Sequence, residues 1–226
     1  MKNLPKLALS LIAIAAFAHA NASTITIATG FSDASAQTSA AAYKAVVDTA
    51  VATPGAGYGS TSLSSYDYVS NQSLFGSNNN IASRSIIDFG VTAAQAGTWS
   101  FRSGVDFGNG GALFLDGVAL DVKTSDMWWA GNYGNSSQFL SGSTLLSAGN
   151  HTLSIYGLEG CCDGGQQVQF KAGNNSFASF GSTDGLASVS AVPEPSTYAM
   201  LMVGLGLVGF AVRREKAIKF YTAVKM

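Results

Sequence analysis

The chain has 226 residues, 47% of them hydrophobic and only 11% charged, with a formal net charge of −1. Setting aside the two unusual ends leaves five basic against eleven acidic residues between about 23 and 192, a net charge of −6. That balance excludes a nucleic-acid partner, because phosphate binding needs clustered lysine and arginine.

In chain order, the first element is an N-terminal signal. Lys2 and Lys6 precede a short apolar run over residues 7–17, and small residues follow at 18–22. This is the layout of a secretory signal peptide, assigned to residues 1–22. The run is too short for a membrane span, which needs about 20 apolar residues.

Residues 24–27 alternate polar and apolar, as a half-buried strand does. Tyr43, Val46, Val47, Ala50 and Val51 then fall at helical spacing. A single amphipathic helix is predicted over 33–52, with Asp33 as N-cap and Pro54 as a stop. Residues 55–85 are rich in Ser, Asn, Gly and Tyr and read as a long irregular loop. Alternation returns at residues 99–102, 113–116, 152–155 and 167–170, separated by Gly, Asn and Asp. The predicted fold is mainly β: an antiparallel, jelly-roll-like β-sandwich over 23–191 with one helix packed on it.

The stretch from Gly97-Thr98-Trp99 through Asp106 and the run 113–118 to Gly149-Asn150-His151-Thr152-Leu153 resembles the protective-antigen type of β-sandwich. In carbohydrate-binding members of that group, two adjacent aspartates help to hold a calcium that contacts sugar hydroxyls. Here Asp106 is followed by Phe107, so one of the pair is absent. Asp106 and Asp116 are the candidate ligands, and they supply fewer oxygens than calcium wants. Asp116-Gly117 also suits a hairpin turn. Among the tryptophans, Trp128 and Trp129 lie close to Tyr133 in a Gly-rich segment, a group able to stack on sugar rings or anchor a partner. Neighbours on a strand face opposite ways, so one indole is expected inside and the other outside.

Both cysteines of the chain, Cys161 and Cys162, stand side by side in "EGCCDGG". A secreted chain meets an oxidising compartment. A bridge between the two neighbours is the favoured reading, and it would need a distorted or cis peptide because trans Cα atoms lie only about 3.8 Å apart. Intermolecular bridging and a free thiol pair are the alternatives. The segments 103–117, 127–133 and 156–170 together resemble a subgroup of exported proteins marked by Cys-Cys-x-Gly, a resemblance that implies secretion and no particular activity.

No catalytic constellation is visible. His151 lies at a predicted strand start, there is no G-x-S-x-G elbow, and nothing selects a carboxylate pair. The chain is read as a non-enzyme.

At the C-terminus, Pro193-Glu194-Pro195 opens an apolar stretch that closes with Arg213 and Arg214. This resembles the PEP-CTERM sorting signal of Gram-negative bacteria, assigned to 192–216 with a transmembrane helix. The resemblance implies an exosortase-type processing protease, transient anchoring in the inner membrane, and final residence at the cell surface or outside it. Residues 217–226 are an atypical extension. The G-x-G-x-x-G at 204–209 is no nucleotide fingerprint, since it lacks the strand and βαβ unit that the motif requires. The favoured function is adhesive or structural, with exopolysaccharide as the expected surrounding. A calcium-dependent glycan-binding module and an exported hydrolase are the alternatives.

Overall fold

The computed structural model describes residues 22–189 and 200–207. Residues 1–21 of the expected signal peptide, Pro193, Glu194 and Pro195, Arg213 and Arg214, and the extension 217–226 lie outside the described residues.

Two antiparallel sheets make the domain. The larger contains β1 (Thr24–Phe31), β2 (Ser60–Leu63), β3 (Asn79–Val91), β6 (Gly111–Leu115), β7 (Val118–Lys123) and β10 (Gly149–Cys161), in the order β2-β1-β3-β10-β6-β7. The smaller contains β4 (Gly97–Gly104), β9 (Phe139–Leu146), β11 (Gln167–Ala172) and β12 (Ala178–Ser179), in the order β12-β11-β4-β9. A two-stranded ribbon joins β5 (Asp106–Phe107) to β8 (Met127–Trp128).

Strand alternation explains the layers. Odd-numbered residues of β10 and β6, such as Leu153, Ile155, Leu113 and Leu115, join Ile87, Phe89, Trp99, Phe101, Val168 and Phe170 between the sheets. Even-numbered ones, Ala112, Phe114, Tyr156 and Leu158, face the other way onto helix α1 (Ala40–Ala52) and its Tyr43 and Val47. β6 is therefore buried on both faces, which corrects the half-buried strand expected at residues 113–116.

Two expectations are corrected. The helix begins at Ala40, not near Asp33, because the Ser39 side chain accepts from the Ala42 amide and supplies the cap. The supposed long loop is ordered. It holds β2, a short helix α2 (Asn71–Phe75) capped by Ser70, and the start of β3. Tyr66 pins it to the core, with its hydroxyl 2.5 Å from Ser85 Oγ and donating to Gln166 Oε1 at 3.2 Å. Ser83 and Ser85, which break the apolar pattern of β3, are both buried, and Ser85 is the partner of Tyr66, which is why periodicity missed the strand.

Residues 200–207 form a separate helical unit whose apolar side chains, Leu201 and Leu205 among them, are exposed. No helix among the described residues is long and apolar enough to cross a membrane.

Candidate functional site

The β5–β8 ribbon sets up the site. Asp106 pairs with Trp128 and Phe107 with Met127. Cross-strand partners share a face and neighbours on a strand alternate. Phe107 and Met127 are fully buried, so Asp106 and Trp128 are presented on the opposite, outward face. Trp128 is 64% exposed and Trp129 only 4%.

The end of β10 brings up the other side. Glu159 is buried, and its two oxygens accept from the Gly108 amide (2.5 Å) and the Cys161 amide (2.6 Å). One carboxylate thus fastens the turn after β5 to the end of β10. The same turn is tied to α1 by the Tyr43 hydroxyl, which donates to the Asn109 carbonyl at 2.7 Å. Between these walls lies a cleft of about 560 Å³ lined by Asp106, Asn109, Asp126, Trp128, Glu159 and the Cys161–Cys162 pair, with Gly108 and Gly160.

Cys161 and Cys162 are bonded to each other, with Cα atoms 3.7 Å apart, and both are exposed. The described chain contains no cis peptide; Cys162 instead takes φ 75°, a left-handed conformation. The Cys162 and Asp163 amides donate to the Asn78 carbonyl at 2.8 and 3.0 Å, which holds the ring against β3. Asp163 in turn accepts from the Gln72 amide at 2.8 Å. Because it closes almost no loop, the bridge contributes little through chain entropy. Reduction is expected to lower the thermal midpoint by no more than about 5 °C, while weakening any ligand that rests on the cleft wall. A large loss of stability on reduction, read by calorimetry with and without reductant, would contradict this.

The cleft is electrostatically one-sided, as no lysine, arginine or histidine lines it. Burial, aided by the charges of Glu159, Asp163 and Asp126, pushes Asp106 up to about 7. Burial likewise raises Glu159, and lifts Asp163 to about 6. A carboxyl raised from its ordinary 3.8 to about 7 contributes stability that is fully present below about pH 4 and is lost as pH rises through about 7. The thermal midpoint is therefore expected to climb on acidification from about pH 8 to about pH 5. Asp106→Asn should remove much of that slope; a slope unchanged in the variant would refute the assignment.

The sequence-chosen residues separate in space. Asp116 sits in the β6–β7 turn, at φ 49° with Gly117 at φ 80°, the backbone of a type I′ hairpin. Its carboxylate accepts from the Thr152 amide (2.8 Å) and faces His151 Nδ1 (2.7 Å). β6 runs between Asp116 and the cleft, about 16 Å at the usual strand rise. Asp106 and Asp116 are thus not brought together, and the calcium reading built on them is corrected. The position after Asp106 is the core residue Phe107, and among the described residues no group of three His, Cys, Asp or Glu side chains could hold a metal ion. The residues do not fit the calcium site that the protective-antigen resemblance implies.

His151 is structural as well. Burial disfavours its charge, but Asp116 and the Ser147 carbonyl (3.0 Å from Nε2) hold its pKa above the ordinary value. Trp129 is buried, not presented on the surface. It packs over Gly104, where any Cβ would lie 2.4 Å from the indole, and against Tyr68 and Tyr133. Tyr133 lies outside the cleft, against Phe139 and Arg102. Asp126, Asn109 and Glu159 were not foreseen as site residues. No local pattern marks them, since they meet only through the pairing of distant strands.

No match was found among curated proteins. Among solved structures, the chain is similar to the PA14 sugar-binding domain from an RTX adhesin (14% identity, TM-score 0.49, 75% of this chain and 99% of that one). It is also similar to the PA14 domain of the MpAFP antifreeze protein (12%, 0.48, 75% and 93%). A third is the Epithelial Adhesin 9 A domain of Candida glabrata in complex with Galb1-4GlcNAc (8%, 0.42, 77% and 94%). The PEP-CTERM protein-sorting motif matches residues 191–215, a span containing Pro193, Glu194, Pro195, Arg213 and Arg214, and it marks this chain as an exported protein handled by an exosortase-type system and sorted to the cell envelope or surface.

Proposed function

We propose that the protein is a non-enzymatic surface or matrix adhesin whose cleft between Trp128 and the Cys161–Cys162 ring binds carbohydrate, with exopolysaccharide as its setting. The observation that carries this reading is an exposed indole beside carboxylates on the outward face of a short, core-anchored ribbon. An aromatic face packs on the apolar face of a sugar ring, and carboxylates accept from sugar hydroxyls. The disulfide adds a second apolar surface on the opposite wall. The ribbon and Glu159 fix these groups before a ligand arrives, which lowers the ordering cost of binding.

Binding of the secreted protein to a glycan array, with and without chelator, tests the reading. Retention that survives chelator is the expected result, since the cleft offers no metal-ligand set. Loss in chelator would restore the calcium-dependent alternative, and no retention on any glycan would sink the adhesin reading. Release of reducing ends from a retained glycan would replace binding by hydrolysis, with Asp106 as the proton donor.

The mature chain is proposed to run from about residue 23 to a cut near Pro193–Pro195, after transient anchoring in the inner membrane. Mass spectrometry of the recovered secreted protein checks both ends; a peptide reaching Met226 would refute the cut.

A further inference from the structure

A second surface lies on the outer face of the smaller sheet. Trp99 and Phe101 of β4 point into the core, so Ser100 and Arg102 point away from it. Strand register builds two rows there: Ser141, Arg102 and Gln169 in one, and Ser143, Ser100 and Lys171 in the next. The Arg102 guanidinium carbon lies 3.8 Å from the centre of the Tyr133 ring and 3.9 Å from that of Phe177. Its Nε donates to Gln169 Oε1 at 2.7 Å. Its terminal amino groups donate to no described residue and are not sealed from solvent. Lys171 Nζ stands 5.1 Å over the same Phe177 ring. A hollow of about 280 Å³ opens here, its polar lining made by Arg102, Ser100, Ser141 and Ser143.

The charge pattern is uneven. Of the five cations between residues 22 and 189, Lys44 and Arg84 both pair with Asp48, and Lys123 pairs with Asp121. Among the described residues, Arg102 and Lys171 have no carboxylate at ion-pair distance. Asp67, near Tyr133, accepts from Gln167 Nε2 at 2.5 Å. An otherwise acidic domain therefore leaves its two unmatched cations on one face.

We propose that this face binds the carboxylate groups of an acidic polysaccharide, with Arg102 and Lys171 as its anionic subsites. Aromatic rings against the guanidinium fix its plane and leave its edge for two parallel hydrogen bonds to one carboxylate. By sheet geometry, the two cations spring from Cβ positions about 7–8 Å apart, a diagonal pair on neighbouring strands. Ser100, Ser141 and Ser143 offer hydroxyls to the sugar seated beside Arg102. A phosphodiester polymer fits worse, because two cations on a domain of net charge −6 are too few for its charge density.

The surface shares no lining residue with the cleft, so the two are separable. The test uses the secreted protein on immobilised polygalacturonate, its fully methyl-esterified form, and duplex DNA at one salt concentration. Binding to the free acid that weakens with added salt, and that the ester lacks, is expected. Arg102→Gln should weaken it about tenfold and Lys171→Gln about threefold. Should Arg102→Gln fail to fold, Lys171→Gln at its partly exposed position still decides. Equal binding by Lys171→Gln, equal binding to the ester, or DNA bound as tightly as polygalacturonate would overturn the proposal.

Discussion

Glu159→Ala is expected to cost the domain about 2–5 kcal/mol, a fall in thermal midpoint of roughly 5–15 °C. The side chain is 4% exposed and is the acceptor for two backbone amides, of Gly108 and Cys161. Alanine removes both acceptors and admits no side chain to replace them. Both bonds are partly buried, and an amide left without a partner there costs up to about 1–3 kcal/mol. Glu159→Gln retains one carbonyl oxygen and should lose roughly half as much. Because the same carboxylate joins the two walls of the cleft, ligand binding should fall with stability in the alanine variant. Chemical denaturation of the three proteins checks the order; an alanine variant as stable as the parent would show that the amides find other partners.

Trp128→Ala should show the opposite separation. At 64% exposure the indole covers little of the core, and its removal should leave the unfolding midpoint nearly unchanged. Carbohydrate retention should drop roughly 10–100-fold, the range for losing an aromatic anchor. Trp129→Ala is the control, because that indole is buried against Gly104 and Tyr68. It should lower stability by about 3–5 kcal/mol, as large core truncations do. Calorimetry and glycan retention on both variants suffice; undiminished retention in Trp128→Ala would remove the cleft as the binding site.

The two neighbouring tryptophans show how far local pattern reaches. Strand alternation says that one is in and one out, and Met127 in the core fixes which. The strands at residues 24–27, 99–102 and 167–170 were legible for the same reason, since each has one face in the core and one outside. β3 was not legible. Its inward Ser83 and Ser85 read as polar, and only Tyr66, arriving from the segment before it, gives Ser85 a partner. The start of α1 was misplaced because Asp33 and Ser39 are equally good caps by type, and tertiary placement chooses between them.

For the site, the protective-antigen resemblance singled out Asp106 and the aromatic cluster Trp128, and their pairing in one ribbon is a matter of register. Glu159 is 53 residues beyond Asp106 and reaches it through the β10–β6 pairing of Gly157 with Gly111. Asp116 was drawn in by its resemblance to a ligand, whereas its work is to close a hairpin and hold His151.

The last residues of the domain are fastened in series. Val189 exchanges two hydrogen bonds with the Asn150 side chain, Gly90 donates to the Leu186 carbonyl, and Asp184 gathers the amides of Ser23, Gly181 and Leu186 together with the Ser23 hydroxyl. A force applied along the tail beyond Val189 meets these links one after another. It peels the segment 181–189 from its moorings instead of shearing a sheet. Such a chain, held at its tail and hauled by a bound polymer, would yield length in small steps before any core strand carried load.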